Sequence, residues 1–434
     1  MDTIFAPATA QSISAIACVR VSGPDAFLSY DLLSNGKPRP NFRKMELVRL
    51  VDHQKQLIDV GLVVLFKGPY SFTGEDVVEY YIHGSYASLD HMLVNLGQIK
   101  ALRYAKPGEF SQRAYQNKKM SLLEIEGLSD LLASESRLQK QIALEQLEGR
   151  GDEIITQWRD EFLGIIAVVE AMIDFSDDVE DQEIAAVLFD IHSLQQKIMA
   201  TIPADSVREV FNDDYSLAFV GAPNSGKSSL INCLMNREVS IVSPFAGTTR
   251  DVIEAVTVIG NVKVRLLDLA GIRDSNDPIE KIGIAKAQKA LERASIRVFL
   301  DAPDAPLPED LKQTYFLPGD LIVTTKSDLG IKGTGLQISI KDQSYQALLD
   351  AVAERFTNIS PKKDQIFFRA RHVDCLKQTM SFLEYGYFLL KDHELFDSCA
   401  VQLRSAVQTL DYILGRVTSE DVLDVIFSKF CIGK

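Results

Sequence analysis

The stretch Leu217-Ala218-Phe219-Val220-Gly221-Ala222-Pro223-Asn224-Ser225-Gly226-Lys227-Ser228-Ser229 decides the reading of this chain. Its first four residues are apolar and read as a buried strand. Gly221 to Ser228 match GxxxxGK[ST], and a helical pattern begins at Leu230. The glycines let backbone N–H groups curl around phosphates. Lys227 then reaches the β- and γ-phosphates, and the Ser228 hydroxyl holds Mg²⁺. The N-terminus of the following helix adds its dipole. A glycine-rich turn can match this pattern by chance, but the strand–loop–helix context argues against it.

Two further motifs follow in the order that a nucleotide site requires. Asp268-Leu269-Ala270-Gly271 comes directly after the β-rich run Val262 to Leu267. Asp268 can bind Mg²⁺ through water, and the Gly271 amide can meet the γ-phosphate; alone, DxxG is usually a turn. Thr325-Lys326-Ser327-Asp328 follows the run Leu321 to Thr324. Asp328 can accept hydrogen bonds from the N1 and N2 donors of guanine, a pattern adenine lacks, which favours GTP over ATP. From Tyr215 to Ser360, short β-rich runs alternate with helical stretches. That alternation predicts a parallel sheet with helices on both faces.

Outside this region the pattern changes. No proline occurs from Gly108 to Ile202, and none follows Pro361. Proline breaks helix interiors, so both arms read as helical. Ile125, Leu128 and Leu132 repeat at helical spacing, as do Leu403, Val407, Leu410, Ile413, Leu414 and Val417. Thr418-Ser419-Glu420-Asp421 reads as a further helix start. An α/β domain between two helical arms suggests an insertion, with the arms packing together. The first ~117 residues mix strands (Ala17–Val21, Val60–Phe66, Val77–Tyr81) with a helix over Ala87–Leu96, an α+β pattern. The expected boundaries are 1–117, 118–210, 211–360 and 361–434. A chain of 434 residues suits about three domains.

Composition sets limits. With 46% hydrophobic and 24% charged residues the chain is an ordinary globular one, not disordered or collagenous. No stretch approaches the ~18 apolar residues of a membrane span. The start, MDTIFAPATAQS, lacks the pattern of a secretory signal, so a soluble, cytoplasmic protein is expected. The net charge of −14 makes a stand-alone nucleic-acid binder a poor fit, though a local basic patch is compatible with it. Cys18, Cys233, Cys375, Cys399 and Cys431 are scattered and read as reduced thiols with no zinc site.

The loop Gly247-Thr248-Thr249-Arg250-Asp251, the P-loop with its Asn224, and the terminal Phe430-Cys431-Ile432-Gly433-Lys434 together resemble the MnmE (TrmE) family of bacterial tRNA-modification GTPases. So do Phe72-Thr73-Gly74-Glu75-Asp76-Val77-Val78-Glu79 and Pro107-Gly108-Glu109-Phe110-Ser111. The resemblance runs over essentially the whole chain. It implies an N-terminal folate-binding domain that also forms a homodimer, a discontinuous helical domain, and an inserted Ras-like G domain. It further implies a heterotetramer with the flavoprotein MnmG, which brings FAD and NADH. The pair would install a carboxymethylaminomethyl-type group at C5 of a tRNA wobble uridine. The one-carbon unit would come from a 5,10-methylene- or 5-formyl-tetrahydrofolate, and GTP hydrolysis would drive the cycle.

The same resemblance implies residue roles. Asn224 would ligate K⁺, helped by oxygens at Ser243, Phe245 and Thr248, and the ion would neutralise charge developing on the phosphates. Thr249 would hold Mg²⁺ with Ser228. The loop residues Pro244, Ala246 and Gly247 would border the nucleotide. So would Ser225, Gly226 and Ser229 of the P-loop, Leu269 and Ala270 of the third motif, and Thr325, Lys326 and Ser339 beside the base. Glu280, nine residues past Gly271, would orient the attacking water, with Lys227 and Asn224 as the other catalytic residues. Arg20, Glu79, Lys119 and Lys434 would contact folate, and Cys431 is a candidate for chemistry. Read from pattern alone, Glu280 is a solvated face, Arg20 with Glu79 a surface ion pair, Arg250 and Asp251 loop charges, and Cys431 a small apolar residue.

Several positions depart from the family pattern. The base motif is TKxD rather than NKxD, the third motif is DLAG rather than DTAG, and the SAK-type loop reads Ser339-Ile340-Lys341. The stretch Ala302 to Gly319 is Pro-rich, so a trimmed helix is expected there. Ala8 to Ala15 lacks the expected Gly-Arg-Gly-Gly run. The acidic balance is reconciled with tRNA if MnmG supplies most of the basic surface. Two alternatives remain open: a ribosome-assembly GTPase sharing only the G domain, and a GTP-binding switch that hydrolyses negligibly. Glu145, Glu148 and Arg150 read as solvated helix charges.

Overall fold

The computed structural model describes residues 2–175, 179–204, 215–235, 253–260, 262–269, 287–330, 335–358, 365–393, 395–417, 423, 426–428, 430 and 432–433. The chain forms two compact units. One comprises Met1–Leu132, Leu144–Leu194 and Cys375–Lys434; the other comprises Ala133–Ala143 and Gln195–Asp374.

In the first unit, six strands form one sheet: β1 (Thr3–Pro7), β2 (Ser14–Ser22), β3 (Glu46–Val51), β4 (Leu57–Phe66), β5 (Val77–Gly84) and β6 (Leu102–Tyr104). Their order is β3-β4-β5-β2-β1-β6, and β1 with β6 is the parallel pair. Alternation sets the faces, as side chains in a strand point to opposite sides. On β3, Val48 and Leu50 are buried whereas Leu47 and Arg49 are exposed. Helices α1 (Ala26–Leu33) and α2 (Tyr86–Gln98) cover the apolar face, where Tyr30 of α1 packs with Phe5, Leu50, Leu65 and Tyr80 of the strands. The Ser85 hydroxyl caps α2 by accepting from the Ser88 amide at 3.0 Å.

Helix α3 (Glu109–Gln116) leads into the helical part: α4 (Leu122–Ala133), α5 (Arg137–Leu147), α6 (Arg150–Asp174) and α7 (Asp181–Thr201). A capping box starts α4. The Glu124 amide donates to Ser121 Oγ at 3.0 Å, and the Ser121 amide donates to Glu124 Oε2 at 2.7 Å. Leu122, Ile125 and Leu128 of α4 pack with Ile426, Phe427 and Phe430 from the far end of the sequence. Gly108 permits this approach, since a Cβ there would lie 2.3 Å from the Phe427 carbonyl oxygen. Arg150 and Glu145 form an ion pair, so these two charges are not the solvated ones expected.

The second unit holds the other sheet: β7 (Tyr215–Gly221), β8 (Ile253–Ile259), β9 (Val262–Asp268), β10 (Ile296–Asp301), β11 (Leu321–Thr324) and β12 (Leu336–Gln337), in the order β12-β11-β10-β7-β9-β8. It is parallel except for β8, which pairs antiparallel with β9. The expectation of a parallel sheet is corrected at that edge. The two strands are joined by a turn at Gly260 (φ +63°), and only antiparallel strands can be joined so tightly. Helices α8 (Lys227–Met235), α9 (Glu309–Tyr315) and α10 (Gln346–Asn358) flank the sheet; α9, from the Pro-rich stretch, is only seven residues long.

The last long helices are α11 (Ala370–His393) and α12 (Phe396–Ile413). The apolar stripe expected through Val417 ends early: Gly415 turns the chain at φ +73°, and Val417 is 65% exposed. Tyr115 fixes that turn by donating to the Gly415 carbonyl at 2.7 Å. Among the described residues, no helix is long and apolar enough to cross a membrane.

A candidate nucleotide site at the end of a parallel sheet

Strand β7 delivers the chain into the loop from Ala222 to Gly226, and α8 begins at Lys227. Asn224 (φ +64°) and Gly226 (φ +95°) both take left-handed backbone, which curls the loop. Lys227 is buried, and its ammonium donates to the carbonyls of Gly221 (2.8 Å) and Ala222 (2.9 Å). Its charge is therefore held across the loop. Asn224, Ser228 and Ser229 are exposed. A cavity of about 760 Å³ opens here, lined by the loop together with Leu269, Asp304, Leu311 and Lys326. That size suits a small-molecule ligand.

Ser228 and Asp268 meet at the cavity. The Ser228 hydroxyl donates to Asp268 Oδ2 at 2.9 Å. Asp268 is 7% exposed, and its Oδ1 is buried with no hydrogen-bond partner. A buried carboxylate oxygen without a donor is costly. An oxygen-seeking divalent cation with its water shell would satisfy it, so the residues present fit Mg²⁺.

The base-recognition loop is braced against the P-loop. Thr325 is buried, and its hydroxyl donates to the Ser225 carbonyl at 2.7 Å. Lys326 takes left-handed backbone (φ +55°), and its ammonium donates to Asp304 at 2.6 and 2.8 Å. The Lys326 contact holds the Asp304 carboxyl below the usual carboxylate range. Asp328 is exposed, with Oδ1 accepting from the Ser339 hydroxyl at 3.0 Å. Ser339 thus orients the carboxylate and leaves it open to a donor pair. Asp304 was not legible in the sequence, because it lies in a loop far from any motif.

Three of the four folate candidates can be placed or lie close in the fold. Arg20 and Glu79 face one another across β2 and β5, and Arg20 Nε donates to Glu79 Oε1 at 2.9 Å. This is no surface pair: both side chains are mostly buried, and the guanidinium lies 5.1 Å from the Phe72 ring and 5.7 Å from that of Phe110. Arg20 Nη1 is left buried without a partner. A donor left over beside a carboxylate fits a ligand that carries acceptors and N–H groups on one edge. The Tyr81 hydroxyl donates to Glu79 Oε2 at 2.6 Å. Sequence reasoning missed Tyr81, although period-two spacing puts it on the face of Glu79. Burial, then the neighbouring Glu79 charge, pushes the Cys18 thiol up to about 11.

Lys119 is exposed, and its stem lies over Gly74, whose added Cβ would sit 3.1 Å from Lys119 Cγ. The loop of Thr73 to Asp76 is pinned from below. Glu75 accepts from Ser22 at 2.6 Å and from Arg113 at 3.2 Å, and Asn117 donates to the Thr73 carbonyl at 2.7 Å. Ser243 to Asp251, Ala270, Gly271, Glu280, Thr418 to Asp421, Cys431 and Lys434 lie outside the described residues.

A P-loop at the end of a parallel strand, a serine–aspartate pair at its mouth and an Asp-bearing base loop braced against it define a GTPase of the P-loop class. The family model described as "GTP-binding protein TrmE N-terminus" matches residues 3–119, and that described as "MnmE helical domain" matches 122–431. Proteins named tRNA modification GTPase MnmE are similar over the full length. Those of Ruegeria pomeroyi and Roseobacter denitrificans are 37% identical, and that of Parvibaculum lavamentivorans 39%, each match covering 100% of both chains. The chain belongs to the MnmE family of tRNA modification GTPases.

Proposed function

We propose that this GTPase works in a potassium-activated cycle and, with the flavoprotein MnmG, adds a carboxymethylaminomethyl-type group at C5 of the wobble uridine of certain tRNAs. The observation that carries the reading is the P-loop itself. Asn224 stands in left-handed backbone, exposed at the cavity and three residues before the buried Lys227. An amide oxygen there suits a monovalent cation. Ser243, Phe245 and Thr248 complete its shell in this reading. K⁺ and Mg²⁺ held there would supply positive charge against the charge that develops on the phosphates.

This chain's own residues do the remaining work. Lys227 exchanges its two carbonyl partners for phosphate oxygens. Ser228 and Thr249 would hold Mg²⁺, and Asp268 would bind it through water. Glu280 positions the attacking water. The backbone of Ser225, Gly226 and Ser229 cradles phosphate, while Ser243 to Thr249 and Leu269 to Gly271 are the other nucleotide-binding residues of this reading. Thr325, Lys326, Asp328 and Ser339 read the base. In the N-terminal domain, Arg20 and Glu79 present the pterin edge with a cation and a carboxylate, and Lys119 and Lys434 meet the glutamyl tail. Cys431 is a candidate for chemistry in this reading.

The domain scheme follows: 1–117 for folate binding and dimerisation, 211–360 for GTP, and 118–210 with 361–434 as the helical domain. The homodimer, the MnmG partnership and a cytoplasmic location belong to the same proposal. The test is steady-state GTP hydrolysis in K⁺ and in Na⁺ at equal ionic strength. Stimulation of at least ~10-fold by K⁺, lost in Asn224→Ala, is expected. Equal, slow rates in both salts overturn the potassium mechanism.

A further inference from the structure

The chain carries a net charge of −14, yet its cations are not evenly spread. From Lys37 to Arg49 there are five, Lys37, Arg39, Arg43, Lys44 and Arg49, against the single acid Glu46. We propose that this loop, with Tyr70 beside it, is a surface that grips the tRNA substrate by its phosphates and stacks on its unpaired bases. The proposal rests on the tRNA reading above.

The loop rides at the free edge of the N-terminal sheet. It leads into β3, the terminal strand, so no described strand covers its outer side. Asn41 to Met45 are all exposed. Some of the local charge is already neutralised: Arg39 pairs with Asp31, Lys37 with Glu46 (3.1 Å) and Lys67 with Asp76 (2.8 Å). Arg43, Lys44 and Arg49 have no carboxylate partner among the described residues. Three exposed cations at one edge, in so acidic a protein, form the attraction that a polyphosphate backbone needs.

Rings are interleaved with these cations. Phe42 is 50% and Tyr70 is 68% exposed, and Phe42 packs on Phe27 with ring centroids 5.6 Å apart, so each keeps ring surface open to a ligand. The Arg43 guanidinium lies 5.6 Å from the Tyr70 ring, and its Nη2 donates to the Tyr70 carbonyl at 3.1 Å. The Arg43 amide donates to the Leu65 carbonyl at 2.8 Å, which ties the loop to β4. The cation and the ring are thus set in place before any ligand arrives. Exposed rings beside arginine are how proteins hold unstacked bases. A protein partner fits less well, because charge is depleted at the core of protein interfaces and three cations without carboxylate partners lie together here.

The experiment is fluorescence anisotropy of an unmodified tRNA transcript titrated with the full chain across a series of KCl concentrations. For the Arg43→Ala/Lys44→Ala double variant we expect ~10-fold or greater weakening near 0.1 M salt and a log–log salt slope shallower by about two. Tyr70→Ala should weaken binding with the slope unchanged. GTP hydrolysis without RNA should stay at the starting value in all variants, and an unmoved calorimetric transition of the first unit shows that their N-terminal domain is folded. The wild-type slope and affinity in the double variant would overturn the proposal while leaving the tRNA reading intact. A drop in mass by light scattering in the double variant would also overturn it, and would make this edge a contact between two copies. No binding by the wild-type chain would also overturn this surface and would leave the grip on tRNA to the partner flavoprotein; the tRNA reading itself falls only if the chain together with MnmG binds none.

Discussion

The hydroxyl of Thr325 donates to the backbone carbonyl of Ser225 at 2.7 Å, joining two loops that are 100 residues apart in sequence. Both residues are buried. A threonine here therefore performs the bracing that an asparagine would otherwise supply, and it keeps the base-reading loop registered to the phosphate-binding one.

Thr325→Val keeps the shape and deletes that donor. The Ser225 carbonyl is then buried without its partner, which costs about 1–3 kcal/mol. We expect GDP and GTP to bind roughly 10-fold more weakly, read by displacement of a fluorescent nucleotide. Affinity equal to the starting chain would show that the brace carries no binding energy.

Asp328 presents its carboxylate to solvent while Ser339 holds one oxygen. Guanine offers two donors to such a group. Asp328→Asn turns one acceptor into a donor, which suits the C2 carbonyl of xanthine instead. Hydrolysis of GTP at low substrate should fall about 100-fold or more, and XTP should become the better substrate. Retained preference for GTP would remove Asp328 from base recognition.

Glu109 supplies a pH prediction. Burial opposes its ionisation, but Arg103, the Lys106 amide and Arg113 outweigh that and hold it below the usual carboxylate range. Its folded value is lower than its unfolded one, so its stabilisation is present above about pH 4.5 and is lost as pH falls through the depressed value. Glu109→Gln should lower stability at pH 7 by about 1–3 kcal/mol and flatten the acid side of the stability curve. Urea unfolding at pH 3, 4, 5 and 7 reads this. Parallel curves for the two proteins would refute it.

Gly108 sits at φ +70°, and a Cβ there would lie 2.3 Å from the Phe427 carbonyl oxygen. Gly108→Ala should destabilise the first unit by about 3 kcal/mol or more. Calorimetry should show one transition displaced downward while nucleotide affinity holds. An unmoved transition would mean that the segment around Phe427 yields without cost.

What could be read from residues alone follows physical range. The P-loop is a local object: strand, glycines, lysine and helix start lie within a dozen or so neighbours, and spacing exposes them. The order of two motifs was enough to turn Ser228 and Asp268 to the same ion, but their direct hydrogen bond was not legible. Arg20 with Glu79 was legible as a pair but not as a buried one. The rings of Phe72 and Phe110 that cover it come from a loop and from helix α3, and no periodicity links them. Thr325 looked like a weakened asparagine, because its partner is a backbone carbonyl that any residue would offer. The antiparallel turn of β8 was hidden because an edge strand and an inner strand share one apolar pattern.

The packing of Phe72 and α4 against Phe427 and Phe430 has a consequence for how the protein is made. A ribosome releases the chain from its N-terminus. Helix α4 emerges early, while Ile426, Phe427 and Phe430, which cover its apolar face, emerge more than 290 residues after α4 starts. For most of synthesis that face is without its lid, during which the whole GTP-binding unit has time to fold. Completion of the first unit is therefore the last event of biogenesis, and a nascent chain stalled short of Phe427 would carry a finished nucleotide site on an unfinished base.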